Sequence, residues 1–267
     1  MIAALTLALL LPATCAEMEQ FLKAAKVGVQ RTTSKGVTQP KQASLADGES
    51  KHDAAIQTVN ISKTSYQTQR GTELNFRDFW GFNIAGYELA KLLDLNMVPP
   101  YVERKSGGQS GSFSWWVDDA MLEVERVQKK IQPPDVEAWN RQMFTARVFG
   151  QLIANMDPNL TNFLITKDWQ LWLIDFTRAF RATKDLPNPK DLVQCDRKVL
   201  AKLRALDRAA LEEKLVKPKY VNKMELEGLL ARRDKIVAFF DKEIAAKGEA
   251  AVLYDLPRSG QPCGVGL

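Results

Sequence analysis

The chain has 267 residues, of which 45% are hydrophobic and 26% charged, and its formal net charge at pH 7 is +5. This length and composition are enough for one large domain or two small lobes, and they exclude wholesale disorder. No basic block is interleaved with aromatic side chains, which argues against nucleic acid as a partner. The single histidine, His52, and the three cysteines have neither zinc spacing nor a nucleophile-elbow motif, so acid–base chemistry falls to carboxylates.

An apolar run opens the chain. Residues 2–11 (IAALTLALLL) are too few to span a bilayer, and small residues follow up to Ala16. This pattern predicts a signal peptide over residues 1–16 and an exported chain, periplasmic or secreted, although no Lys or Arg precedes the run. A buried first helix in a cytoplasmic protein is the alternative. Under export, Cys195 and Cys263 either pair or remain two free thiols.

A β-rich lobe is predicted over residues 17–118. Residues 60–78 are polar and are predicted to form a mobile loop, whereas the apolar spacing from Phe79 to Leu93 predicts a helix. Alternating apolar residues bounded by turn-forming sequences predict short strands over residues 27–31, 41–45, 54–59, 98–103 and 112–117.

Helical patterns dominate after Asp118. Pro133-Pro134-Asp135 starts a helix that runs through Met156, and further helices are predicted between Val199 and Lys247. Residues 119–256 are therefore predicted to form a helical lobe. Residues 257–267 are rich in glycine and proline and are predicted to form a loose tail.

Between these helices lies the strongest chemical signal of the sequence. A polar loop with Asp157 and Asn162 precedes two apolar strands, residues 163–165 and 171–174, and the second strand leads directly to Asp175. Because a hairpin returns the chain to its starting point, the three oxygen-bearing side chains are expected to converge. Carboxylate and carbonyl oxygens are the ligands that Mg²⁺ prefers.

This order of motifs resembles the protein-kinase-like superfamily. Kinases carry a catalytic Asp, an Asn five positions later, and a strand hairpin that ends in the Asp of a D-F-G element, here Asp175-Phe176-Thr177. The segment LNMVPP, residues 95–100, is similar to the divergent bacterial HipA-like and phosphatidylinositol-kinase-like branches. The resemblance implies an α+β, two-lobed protein-kinase-like fold with a small β-rich N-lobe and a helical C-lobe.

The resemblance also implies roles for individual residues. Asp157 would orient the acceptor hydroxyl and take its proton, while Asn162 and Asp175 would hold Mg²⁺ on the phosphates of ATP. The implied partners are thus a nucleotide and a phosphate acceptor, which could be a protein, a lipid or a small alcohol.

The nucleotide itself would be held by the β-rich lobe. Within TTSKGVT, residues 32–38, Gly36 would allow close backbone approach to the phosphates and Lys35 would add charge. Residues Trp116 to Asp118 would form the hinge beside the adenine. Gln57 stands where kinases carry the phosphate-binding lysine.

Two departures from the kinase pattern divide the functional hypotheses. Gln57 replaces the lysine, and Asn83 falls where the partner glutamate is expected, so an amide pair replaces an ion pair. Lys35, Lys51 or Lys63 could supply charge from another direction. The chain is then either a phosphotransferase with relocated parts or a nucleotide-binding pseudokinase that acts as a sensor or scaffold. A structural α+β domain with an incidental carboxylate cluster is the third hypothesis.

Overall fold

The structure is a computed structural model, and residues 14–32, 40–68, 71–157 and 159–257 are described here. The apolar run over residues 2–11, the glycine turn with Lys35 and Gly36, Cys263 and most of the predicted tail lie outside these ranges. The signal peptide, the phosphate-covering turn and the loose tail therefore stay predictions.

The N-terminal part is built on an antiparallel sheet. Within the described residues this sheet has five strands in the order β1-β2-β3-β7-β6. Gly107 and Gly108 join β6 to β7 with φ angles of 58° and 84°, which glycine adopts at little cost in a two-residue hairpin turn. The strands are β1 (Lys26–Thr32), β2 (Lys41–Asp47), β3 (Ser50–Gln57), β6 (Tyr101–Ser106) and β7 (Gln109–Trp115).

Two helices pack on this sheet. Helix α1 (Cys15–Ala24) begins with a capping box between Thr14 and Glu17 and buries Met18 and Leu22. Helix α2 (Gly81–Leu92) buries almost every residue of its length, and it confirms the helix predicted from the apolar spacing. Because α1 begins at Cys15, cleavage after Ala16 would remove its N-cap.

The predicted loop over residues 60–78 is wrong. Strands β4 (Asn60–Thr68) and β5 (Gly71–Phe79) form a separate two-stranded antiparallel sheet, termed the β4–β5 hairpin below. Its residues are mostly polar because both faces of β4 are largely exposed to solvent. A strand without a buried face shows no alternation of apolar and polar residues, which is the signal that sequence analysis needs.

The C-terminal part is helical around the short hairpin predicted from the sequence. Strands β9 (Phe163–Ile165) and β10 (Leu171–Leu173) pair as expected, and β8 (Met121–Leu122) adds a third strand. Strands β11 (Cys195–Asp196) and β12 (Leu253–Tyr254) form a parallel pair. The helices are α3 (Glu123–Gln128), α4 (Val136–Leu152), α5 (Arg197–Ala205), α6 (Arg208–Leu211), α7 (Lys223–Lys247) and α8 (Glu249–Val252).

The fold is α+β, with a sheet-rich N-terminal part and a helical C-terminal part, as predicted. Two buried apolar clusters support it. One joins α1 to the five-stranded sheet, and the other joins α2 to the C-terminal helices. Asp118 lies between β7 and β8, and the division of the chain at this residue stays a prediction.

The structure decides between the alternatives left open for Cys195. Cys195 is a free, buried thiol, so the alternative in which it pairs with Cys263 is wrong. Burial raises the pKa of this thiol well above its usual range, because a thiolate would lose its hydration there. Cys15, at the start of α1, takes part in a disulfide bond. Among the described residues, no helix is long and apolar enough to cross a membrane.

Candidate functional site

The loop after α4 and the β9–β10 hairpin bring the predicted residues to one place. The Ile174 N–H donates to the carbonyl oxygen of Asn162 at 3.0 Å, so Asp175 leaves the hairpin beside Asn162. Asn162 in turn directs its Nδ2 to the carbonyl oxygen of Asp157 at 3.4 Å. Asn155 holds the loop from the other end, because its Oδ1 accepts from the Asp157 N–H at 3.1 Å.

Asp175 has an unusual backbone and an unusual environment. Its φ angle is 59°, in the left-handed region that non-glycine residues visit rarely and Asp tolerates better than most. The carboxylate accepts from the Thr177 hydroxyl at 3.0 Å and from the Gln57 side chain. Burial raises the pKa of Asp175, and the nearby Asp78 carboxylate acts in the same direction, while the bonds from Gln57 and Thr177 oppose the shift.

Gln57 and Asn83 meet as the sequence analysis expected. Asn83 Nδ2 donates to Gln57 Oε1 at 2.5 Å and to the Ser112 hydroxyl at 3.0 Å. Asn83 Oδ1 accepts from the Phe176 N–H at 2.7 Å. All of these groups are buried. The amide pair therefore links β3 and α2 to the backbone that carries Asp175, without any formal charge.

Phe176 completes this link through packing. Its ring lies against Phe149 with centroids 5.9 Å apart and against Tyr101 at 6.5 Å. A Cβ at Gly86 of α2 would lie 2.6 Å from the Phe176 ring, so only glycine lets the helix approach this closely. The position of α2 and that of Asp175-Phe176 are thus coupled by contact.

The β4–β5 hairpin contacts the chain immediately after Asp175. The Phe79 N–H donates to the Thr177 carbonyl oxygen at 2.9 Å. Arg178 Nε lies 3.2 Å from Asp78 Oδ2, and Arg181 forms an ion pair with Glu73. The unpredicted β5 thus supplies an acidic partner to each of the two arginines.

Helix α7 supports the same segment from the other side. A Cβ at Gly228 would lie 2.8 Å from the Ala182 carbonyl oxygen, so the helix touches backbone there. One turn later, the fully buried Arg232 donates to the carbonyl oxygens of Leu152, at 2.8 Å, and of Arg181, also at 2.8 Å. Arg232 therefore ties the end of α4 to the segment after Asp175. Burial lowers its pKa to about 10.

The predicted hinge follows β7 directly. The Trp116 N–H donates to the Asp53 carbonyl oxygen at 3.2 Å, which fixes the start of the hinge against β3. Asp118 accepts from His52 at 2.9 Å, and the His52 ring stacks on Trp115 with centroids 3.7 Å apart. Lys35 and Gly36, the other predicted nucleotide contacts, lie outside the described residues.

The side chains that could bind a divalent cation at this site are few. Among the described residues, no group of three His, Cys, Asp or Glu side chains lies close enough to hold a metal. Asn162 and Asp175 supply one amide oxygen and one carboxylate. Mg²⁺ is commonly bound by one or two carboxylates together with water and substrate phosphates, so this sparse set fits a cation shared with a nucleotide.

Several polar residues at the site had no sequence signal. Tyr101 is buried, and its hydroxyl accepts from the Asp175 N–H at 3.4 Å. Burial raises the pKa of Tyr101, and the nearby Asp175 charge adds to the shift. Ser112 and Asp78 are likewise buried and face residues far away in the sequence. A tyrosine or serine in a strand resembles ordinary strand composition, so only the register of β3, β6 and β7 reveals these contacts.

Comparison with known proteins places the fold among kinases. The chain matches a solved structure described as hydra Fam20 with sugar, with a TM-score of 0.61, 13% identity, and coverage of 90% of this chain and 92% of that one. A Golgi casein kinase matches with a TM-score of 0.64, 12% identity, and coverage of 91% and 79%. The structure described as the Golgi casein kinase with Mn/ADP bound matches with a TM-score of 0.63 and 13% identity, and the match covers 92% of this chain and 80% of that one. No family model and no curated protein sequence matches.

At these identities the likeness concerns the fold alone, and the fold is protein-kinase-like. The two-lobed architecture implied by the sequence motifs is confirmed at this level.

Proposed function

We propose that the chain is a phosphotransferase that uses ATP and Mg²⁺. The observation that supports this proposal most is the backbone link from Asp157 through Asn162 to Ile174, which gathers Asp157, Asn162 and Asp175 at one end of a hairpin. A structural neighbour of the same fold is described with Mn/ADP bound, which supports a nucleotide with a divalent metal as the ligand.

In this proposal, each residue of the trio has a separate task. Asp175 and the Asn162 amide oxygen hold Mg²⁺, which neutralises the phosphate charge. Asp157 orients the acceptor hydroxyl and accepts its proton as the oxygen attacks the γ-phosphorus. Phosphoryl transfer needs positioning and charge neutralisation more than covalent help from the protein, so this small set is sufficient.

The nucleotide would lie between the sheet and the hinge. Trp116 and Asp118 border the adenine position, Lys35 and Gly36 cover the phosphates, and Gln57 lies beside the metal-binding Asp175. The neutral Gln57 cannot replace the charge of a lysine. Lys51 and Lys63 remain alternative sources of that charge, together with Lys35.

A catalytically inactive nucleotide sensor is the second candidate, and the Gln57–Asn83 contact favours it. An amide pair preserves the geometry of the kinase ion pair but removes its charge, so binding could persist without efficient transfer. Assignment of the chain to the HipA-like or phosphatidylinositol-kinase-like branch stays a prediction.

One experiment separates these candidates. Thermal unfolding is followed with ATP alone, with Mg²⁺ alone and with both, and ADP formation is measured in parallel. A phosphotransferase shows Mg-ATP stabilisation and ADP formation, whereas a sensor shows stabilisation alone. A chain that shows neither refutes nucleotide function altogether.

Two substitutions assign the roles. Asp157→Asn should lower turnover by about 10²- to 10⁴-fold while Mg-ATP still stabilises the protein, because the residue acts on the proton. Asp175→Asn should abolish the Mg²⁺-dependent part of the stabilisation. Asp47→Asn, on an exposed position of β2, is the matched control and should change neither.

We also propose that the chain works in an oxidising compartment. The disulfide at Cys15 supports this location, since disulfides persist where thiols are not kept reduced, and it requires that the chain is not cleaved after Ala16. Fractionation of a tagged full-length chain, followed by gel electrophoresis with and without reductant, tests it. A fully reduced chain recovered from the cytoplasm would contradict the proposal.

A further inference from the structure

A groove of about 550 Å³ lies beside the proposed site. It is bounded by the β4–β5 hairpin, by residues 181–187 and by the first turn of α7, and is termed the hairpin groove below. Met156, which directly precedes Asp157, lines it. A hydroxyl carried by a molecule in this groove would therefore approach Asp157, and this volume lies within the range of ligand-binding clefts.

Exposed apolar side chains converge on the hairpin groove. Leu74 of β5 is 72% exposed, Met224 of α7 is 58% exposed and Met156 is 37% exposed. Scattered exposed apolar residues are ordinary, but three from distant parts of the sequence that share one groove indicate a binding surface. Methionine also adapts to differently shaped partners, because its side chain is flexible and polarisable.

The charges in the groove balance, because its described lining has three basic and three acidic side chains. Arg77 holds Glu225 through two contacts of 2.6 and 2.7 Å, and Arg181 holds Glu73, whereas Asp185 pairs with Lys235 outside the groove. The groove thus presents balanced charges rather than a field of one sign. An anionic lipid headgroup requires a surplus of basic side chains, so this lining does not match it.

The lining also fits a sugar poorly. The described residues that line the groove include no Phe, Tyr or Trp, so no aromatic face is available for a sugar ring to stack on. A polypeptide with an uncharged, apolar side chain near the acceptor hydroxyl matches both the neutral charge pattern and the exposed Leu and Met side chains.

We infer that the hairpin groove binds a polypeptide acceptor, with an apolar side chain of that polypeptide seated against Leu74, Met156 and Met224. This inference rests on the proposed phosphotransferase function and assigns its acceptor class. In the reaction the hydroxyl oxygen of a Ser or Thr forms a bond to the γ-phosphorus of ATP. The bond from that phosphorus to the β–γ bridging oxygen breaks, ADP leaves with the electron pair, and the hydroxyl proton passes to Asp157.

The test uses binding, so that it does not depend on turnover. The full-length chain is immobilised with Mg²⁺ and a non-hydrolysable ATP analogue and exposed to a library of random dodecapeptides with a fixed central Ser. The same selection is run on the double variant Leu74→Glu, Met224→Glu. Val193→Glu is the matched control, since Val193 is 51% exposed and lies outside the groove.

The wild type and the control are expected to enrich peptides with Leu, Ile, Met or Val within a few positions of the Ser. Enrichment should fall about tenfold or more in the double variant, which corresponds to the loss of about 1.4 kcal/mol or more of apolar contact. Equal enrichment on all three proteins overturns the inference. So does a loss in the double variant of binding to a fluorescent glycoside or to phosphatidylserine vesicles, when peptide binding is unchanged.

Failure of the inference is distinguishable from failure of the proposed function. Thermal shift with Mg-ATP is measured on the same three proteins. Stabilisation by Mg-ATP without groove-dependent peptide enrichment overturns the peptide assignment and leaves the phosphotransferase proposal in place. Absence of any nucleotide response in the wild type refutes the proposed function itself.

Discussion

Asn83 is the residue whose replacement tests the architecture of the site most directly. It is fully buried and uses both ends of its amide, donating to Gln57 and Ser112 and accepting from the Phe176 N–H. Asn83→Ala removes all three hydrogen bonds at once. The buried backbone N–H of Phe176 then loses the acceptor that Asn83 provides.

The expected cost follows from these contacts. An unsatisfied buried N–H costs about 1–3 kcal/mol, and each of the other two hydrogen bonds contributes about 1 kcal/mol. The sum is about 3–5 kcal/mol, which for a chain of this size lowers Tm by roughly 6–20 °C. The backbone around Asp175 also loses its anchor to α2, so stabilisation by Mg-ATP should fall along with Tm.

Differential scanning calorimetry with and without Mg-ATP measures both effects. Asn140→Ala is the control, because Asn140 is exposed on helix α4, where the same chemical change leaves Tm within about 2 °C. A fall in Tm of less than about 2 °C in Asn83→Ala, with the Mg-ATP response unchanged, would refute the assignment of the amide pair as the support of Asp175.

The neighbouring contacts give further predictions. Gly228→Ala should destabilise by about 1–3 kcal/mol in urea unfolding, because its Cβ meets backbone, whereas Gly150→Ala, which meets nothing within 4 Å, should be neutral or stabilising. Arg232→Met should cost about 3–5 kcal/mol in the same assay, since it leaves buried carbonyl groups unpaired; a cost below 1 kcal/mol would contradict the bracing role. Asp175 has a raised pKa, so its burial costs stability as the pH rises through that pKa. Asp175→Asn should therefore raise Tm at neutral pH in EDTA, and the difference in Tm from the wild type should shrink on acidification. A lower Tm in the variant at neutral pH would contradict the claim that the buried carboxylate destabilises the protein. Iodoacetamide should label Cys195 only after unfolding, as peptide mapping can show, and rapid native labelling would contradict its burial.

Local features of the site were predictable from the sequence. The loop with Asp157 and Asn162 and the strands that lead to Asp175 lie within twenty residues, so their convergence requires only the pairing of one hairpin. Gln57 and Asn83 were located by their offset in a motif pattern, and their contact follows from that offset. In both cases the information is short-range or tied to a family pattern.

The β4–β5 hairpin was not predictable in the same way. Strand β4 lacks a buried face, β5 buries only its C-terminal part, and contacts with distant residues hold the hairpin in place. The ion pair from Arg77 to Glu225 spans 148 positions of the sequence. The contact of Arg178 with Asp78 spans 100 positions and is equally invisible without the fold. Such contacts depend on the tertiary arrangement, and neither local propensity nor periodicity encodes them.

The amide pair also determines where positive charge must come from. A buried lysine and glutamate would each lose their hydration, whereas Gln57 and Asn83 form a neutral hydrogen-bonded pair at a smaller cost. The neutral pair leaves the carboxylates of Asp175 and Asp157 without a lysine at the position of Gln57, whereas Asp78 has Arg178 as its partner. An anionic nucleotide entering beside them meets repulsion that Gln57 cannot offset. Under the proposed function, a divalent cation would therefore provide more of the neutralisation here than in a site with the lysine, so metal and nucleotide are expected to bind as one unit.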